Sequence, residues 1–162
     1  MKSELEIREI QKRDNGQVAQ LIRATLEEYN VPKIGSAYED TSLNDLHQAY
    51  NRDKASFYVL FKRERLVGCA GVAPLENYQG NVCELQKMYV APVFRGKGYG
   101  RQMVAHCLAR AQKLGFEGCY LETMPNMHVA KGLYTKLGFK FIDAPMGFTG
   151  HHACHVYMYK SL

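Results

Sequence analysis

The residues whose types and spacing most clearly promise chemistry are Arg95-Gly96-Lys97-Gly98-Tyr99-Gly100, followed by Arg101. Glycines at alternate positions leave backbone N–H groups clear of Cβ atoms, so phosphate oxygens can approach closely. The segment lies between an apolar run ending at Val90 and a helically patterned run starting near Tyr99. A helix start adds the positive end of its dipole. Arg95, Lys97 and Arg101 add mobile positive charge. Together these features point to binding of a pyrophosphate. Two common phosphate loops do not account for them. The dinucleotide fingerprint requires G-x-G-x-x-G, but position 101 is arginine. The P-loop requires G-x-x-x-x-G-K-[ST], but Gly96-Lys97 is followed by Gly98, which has no hydroxyl for magnesium.

A second group, His151, His152, Cys154 and His155, invites a metal reading. The spacing H-H-x-C-H does not match zinc-finger ligands, and no second ligand pair stands out elsewhere. On a strand, alternation sends His152 and Cys154 to one face and His155 to the other. No metal is therefore expected, and the segment reads as either a pocket-lining loop or a surface connection.

The elements that must position these groups follow from periodicity. Residues 5–10 alternate as a half-buried strand. Asp14, with Gln17 in the capping-box position, opens a helix carrying Val18, Leu21, Ile22, Leu26 and Tyr29 on one stripe. Asn30-Val31-Pro32 ends it, and residues 31–41 read as loop. Ser42 with Asp45 opens a shorter helix. Strands are expected at 56–62 and 66–73, joined as a hairpin across Arg63-Glu64-Arg65, and at 82–90. The glycine turn leads into a helix over 99–114, stopped by Gly115. A strand at 118–123 precedes a helix capped by Asn126 and closed by Gly138. Strands near 140–142 and 153–160 finish the chain. The order βααβββαβαββ implies an α/β fold, a mixed sheet covered by helices.

Composition narrows the classes. A chain of 162 residues, 46% hydrophobic and 23% charged, suits one globular domain spanning 1–162. The net charge of +5 suits an anionic ligand. The basic residues are scattered, against the clustered face that nucleic-acid binding needs. No apolar signal core or stretch of about 18 apolar residues occurs, so a soluble, cytoplasmic protein without membrane association is expected. The five cysteines are odd in number and dispersed, as suits reduced thiols.

With these residues in view, the sequence resembles the GNAT superfamily of acetyl-CoA-dependent N-acyltransferases. Arg95, Gly98 and Gly100 meet its R-x-x-G-x-G signature. The strand Glu84-Leu85-Gln86-Lys87-Met88-Tyr89-Val90 before Ala91-Pro92 resembles the family's fourth strand, and Leu133-Tyr134-x-Lys136-x-Gly138-Phe139 its later helix and strand. The element order matches along essentially the whole chain. The resemblance implies acetyl-CoA as co-substrate and an amine as acceptor, either a small molecule or a protein. It implies pantetheine contacts along Met88, Tyr89 and Val90. It places the pyrophosphate on Arg95, Gly96, Lys97, Gly98, Tyr99, Gly100 and Arg101, and Asn126 at a cofactor contact. A bulge that parts the fourth and fifth strands is a family feature that no residue here announces. A homodimer is compatible with the family.

Such an acceptor amine, with a pKa of about 10.4, is almost wholly protonated at neutral pH and must lose a proton before it attacks. Glu84 and Glu122 are the candidate bases, and the sequence does not choose between them. Tyr134 is the candidate acid toward the departing thiolate. Cys83 and Cys119, on central strands, read as core residues, which disfavours an acyl-cysteine route. Glu27, Glu28, Glu39 and Asp40 make the loop at 31–41 acidic, which favours a cationic acceptor. The alternative reading is a non-catalytic acyl-CoA sensor.

Overall fold

In the computed structural model, which describes residues 4–162, the chain runs β1 (Leu5–Glu9), α1 (Asn15–Glu28), α2 (Leu46–Ala49), β2 (Ser56–Lys62), β3 (Arg65–Pro74), β4 (Val82–Val90), α3 (Tyr99–Lys113), β5 (Gly118–Thr123), α4 (His128–Lys136), β6 (Lys140–Ile142) and β7 (Val156–Ser161). This is the expected α/β order. The strands form one mixed sheet in the order β1-β2-β3-β4-β5-β7-β6. All pairings are antiparallel except β4 with β5.

The continuous apolarity of β2 (SFYVLFK) has a physical cause. The sheet is covered on both faces, so both sets of alternating side chains are buried. Tyr58 and Leu60 join a core with Met103, Val104, Cys107 and Leu108 of α3. Phe57, Val59 and Phe61 join another with Val18, Ile22 and Leu26 of α1. Tyr134 of α4 belongs to the α3 side. The two helical layers therefore grip the sheet from opposite faces.

Several local expectations are corrected. Asp14 stands at the head of α1 but does not cap it. Its carboxylate turns back to the Arg8 guanidinium at 2.7 and 3.1 Å and accepts the Gln11 N–H at 2.8 Å. A carboxylate only 1% exposed gains more from a paired guanidinium than from a cap. The cap of α2 is Asp45, accepting from the Gln48 N–H at 3.1 Å, and not Ser42. Met127, not Asn126, precedes α4. β7 starts at Val156, so His152, Cys154 and His155 lie in a loop. That loop bonds to another loop, with the Ala153 N–H on the Gly35 carbonyl at 2.9 Å, and so cannot extend the sheet.

Candidate active site

β4 and β5 pair only at Val82, Cys83 and Glu84, opposite Gly118, Cys119 and Tyr120. Beyond Glu84 they part. The cause lies in β4. Gly71 faces Gln86 and Cys69 faces Tyr89, so β4 spends one extra residue on this stretch. Lys87 takes the strain with φ +52°, in the left-handed region. That arrangement is a β-bulge. It aims two adjacent side chains toward the same layer. The Tyr50 hydroxyl donates to Gln86 Oε1, and Lys87 Nζ lies 5.9 Å from the centroid of the Tyr50 ring.

The parted strands open a cleft of about 480 Å³. Met88, Tyr89 and Val90 form one wall, and Leu121, Glu122 and Thr123 the other. One end is the glycine turn, where Gly96 (φ +75°) and Gly98 (φ +83°) hold conformations that glycine adopts freely. A Cβ built at either would meet nothing within 4 Å. Gly98 heads α3, and the first N–H groups of a helix have no intrahelical partner. Gly98, Tyr99, Gly100 and Arg101 line the cleft at that point. A cradle of donors beside open space, with a helix dipole behind it, fits a diphosphate.

Of the expected cofactor contacts, Arg95 lines the cleft, whereas Lys97 and Asn126 do not. Arg95 is not a mobile charge. Its guanidinium holds Glu28 at 2.6 and 3.0 Å, and its Nε donates to the Val90 carbonyl at 2.9 Å. It therefore clasps the turn to α1 and β4. Lys97 is exposed, with Nζ 3.4 Å from the Val93 carbonyl, and does not line the cleft. Asn126 is also exposed and outside the lining. Its amide donates to the Tyr29 carbonyl at 2.8 Å, which ties the β5–α4 loop to the end of α1.

Glu84, Glu122 and Tyr134 all line the cleft. Glu84 lies where the strands part and is 4% exposed. Burial is the main cause that pushes its carboxyl up to about 7, although the Gln86 amide donates to it at 2.5 Å. Glu122 is engaged by two hydroxyls, Tyr120 at 2.7 Å and Thr149. Tyr134, 6% exposed, packs its ring edge-on to Phe139 at 5.8 Å. Burial holds its hydroxyl in the protonated form, well above the ordinary tyrosine range. Cys83 and Cys119 are buried in the α3-side core, and the cleft-lining thiol of Cys154 is pushed up to about 12 by burial. A thiolate nucleophile is not prepared at Cys154 or Cys119.

A buried ionic cluster was not expected from the sequence. Asp40 lies 3.0 Å from His151 Nε2 and 3.3 Å from Lys87 Nζ. Two members of the acidic region are paired with cations: Asp40 with these two, Glu28 with Arg95. Glu27 accepts from the Tyr38 hydroxyl at 2.8 Å and Glu39 from the Gly35 N–H at 2.8 Å. Asp40 and Glu28 are thus paired with cations, while Glu27 and Glu39 meet only neutral donors. The apolar run 82–90 hides the bulge because Lys87 is not a glycine. Positions 40, 87 and 151 are too far apart in the chain for spacing to reveal them. Among the described residues no group of three or more His, Cys, Asp or Glu side chains is placed to hold a metal ion, and no helix is long and apolar enough to cross a membrane.

Comparison with known proteins bears on this geometry. A family model described as the acetyltransferase (GNAT) family matches residues 18–139. The uncharacterized N-acetyltransferase YjgM of Escherichia coli (strain K12) is 36% identical over 157 residues, covering 96% of this chain and 94% of its own. A GNAT-family acetyltransferase structure from Staphylococcus aureus MU50 superposes with a TM-score of 0.86 at 22% identity, covering 98% of this chain and 99% of its own. The PaiA N-acetyltransferase of Thermoplasma acidophilum, crystallised with coenzyme A, superposes with a TM-score of 0.73 at 20% identity, covering 99% and 100%. At such identities the two structures speak to the fold.

Proposed function

The chain belongs to the acetyltransferase (GNAT) family, and on that premise we propose that it carries an acetyl group from acetyl-CoA to a primary amine by direct attack in a ternary complex. The observation that supports this most is the cleft itself. It has a diphosphate cradle at one end, a buried carboxyl at the fork of the strands and a buried tyrosine on its wall. In this reading the N–H groups of residues 96–101 hold the diphosphate. The exposed edge of β4 at Met88 and Val90 meets the pantetheine arm.

Glu84 is the general base. A carboxyl that titrates near 7 is half ionised at neutral pH, and its affinity for a proton is high enough to take one from an ammonium in the transition state. Glu122, already accepting from two hydroxyls, suits an anchoring role that fixes the Thr149 loop over the cleft. The amine nitrogen attacks the thioester carbonyl carbon, and the C–S bond breaks. Tyr134 donates its proton to the departing sulfur. The thiol is released, Glu84 passes the proton taken from the amine to solvent, and solvent restores the tyrosine proton.

Incubation with acetyl-CoA and a panel of primary amines, followed by thiol release, tests this reading. Amine-dependent release supports it. Saturable acetyl-CoA binding with no release on any acceptor would favour a sensor.

A further inference from the structure

Residues 84 and 86 of β4 share a face, as alternate strand residues do. There the Gln86 amide Nε2 donates to Glu84 Oε1 at 2.5 Å. The Gln86 Oε1 accepts in turn from the Tyr50 hydroxyl. Tyr50 is buried, and burial holds its hydroxyl in the protonated form. A neutral phenol with its proton on the amide oxygen sets the amide one way round, with nitrogen toward Glu84. The reverse setting would oppose two acceptors, an amide oxygen and a carboxylate oxygen. The second oxygen of Glu84, Oε2, has no hydrogen-bond partner among the described residues. Among them Arg110 Nε is the one buried side-chain nitrogen or oxygen without a partner, so Oε2 is not sealed in. It meets the open space that Glu84 lines, the cleft and a side chamber of about 240 Å³.

The electrostatics agree with this geometry. Burial raises the pKa of the Glu84 carboxyl, and the Gln86 bond is the largest effect that opposes it. A donor aimed at the charged form favours that form. Glu122 on β5 pushes the carboxyl further up, while His151 and Lys87 pull it down. Asp40 and Glu76 line the chamber beside it. Tyr50, Tyr120 and Cys154 also face it, and its charge helps to keep their protons in place. Of all these groups only Gln86 touches the carboxylate with a hydrogen bond. Without the amide, the carboxyl would keep its proton to higher pH, and neither oxygen would be singled out for the acceptor.

Resting on the reading of Glu84 as base, we propose that Gln86 is a positioning residue for the reaction: its amide, oriented by the Tyr50 hydroxyl, holds one oxygen of the Glu84 carboxylate and leaves the other to take the amine proton. The first test needs no turnover. In folded protein with isotope-labelled glutamate carboxyls, the Glu84 signal is identified by its loss in Glu84→Gln and titrated by NMR. Gln86→Met keeps the side-chain length and removes the donor. It is expected to raise the midpoint by about one pH unit or more, the effect of a charge-assisted bond. Tyr50→Phe is expected to raise it by less, and to add nothing on top of Gln86→Met, since the hydroxyl acts through the amide. With an amine that the parent acetylates, the rising limb of kcat/KM is expected to move up by the same amount in Gln86→Met. For a base that titrates near 7, that shift lowers kcat/KM at pH 7 by about fivefold. An unmoved or lowered midpoint in Gln86→Met overturns the assignment, and an additive effect of Tyr50→Phe overturns the orienting role of its hydroxyl. If Gln86→Met fails to fold, Tyr50→Phe carries the test: a raised midpoint supports the assignment and an unmoved one overturns it. A midpoint that rises while the rate limb stays in place leaves the hold of the amide intact and overturns Glu84 as the base instead.

Discussion

Glu84 and Tyr134 are two buried groups whose protons the fold holds more tightly than water would. For Glu84 the sign of the pH effects can be worked out. The folded chain keeps the proton up to about pH 7, whereas the unfolded chain releases it near 4.5. Between those values the folded state binds more protons, so stability falls as pH rises, by on the order of 3 kcal/mol by pH 7, and does not return above it. Glu84→Gln removes that cost. Thermal melts at pH 8 are expected to show the variant more stable than the parent, with the difference vanishing near pH 4. A variant less stable at pH 8 would mean that Glu84 is not buried as described. The same substitution is expected to lower kcat/KM by about a hundredfold or more and to abolish a rising limb near pH 7 in the pH–rate profile. Persistence of that limb would shift the base assignment to Glu122. Tyr134→Phe is expected to lower kcat by a comparable factor while leaving acetyl-CoA affinity nearly intact, and an unchanged kcat would remove the acid assignment.

At the scale of elements, most of the framework could be read from the sequence, and its omissions have physical reasons. The bounds of β2, β4, β5 and β6 coincide with those read from the sequence, and in β2 the apolar residues serve two cores. The stops of α3 and α4 at Gly115 and Gly138 follow from their positive φ values of 87° and 96°. The bulge at Lys87 left no trace, because a lysine bears the left-handed conformation that a glycine would have advertised. The caps were misplaced where a competing partner won, as Arg8 does for Asp14. At the glycine turn the clasp of Arg95 on Glu28 and Val90 ties the loop to α1 and β4, and Arg95 itself lines the cleft. Gly98→Val combines a strained φ with a branched side chain in the cradle. It is expected to weaken coenzyme A binding by about a hundredfold or more, with α3 still formed by circular dichroism. Unchanged affinity would place the diphosphate elsewhere.

For the whole molecule, a sheet gripped on both faces leaves one place where two central strands are unpaired, and that place is the cleft. Family membership accounts for this architecture but not for the acceptor, since sites of different chemistry are grafted onto a shared fold. The candidate site was legible only in part. Glu84, Glu122, Tyr134 and the turn converge as the motifs implied. The cluster of Asp40, Lys87 and His151 depends on a tertiary fold that joins three distant segments. The central claim is that the glycine turn and the parted strands together bind coenzyme A. Calorimetric titration of the folded protein with acetyl-CoA tests it most directly. Saturable one-to-one binding, lost in Gly98→Val and retained in Tyr134→Phe, is the predicted result. Absence of heat at millimolar acetyl-CoA, or full binding by the Gly98 variant, would contradict it.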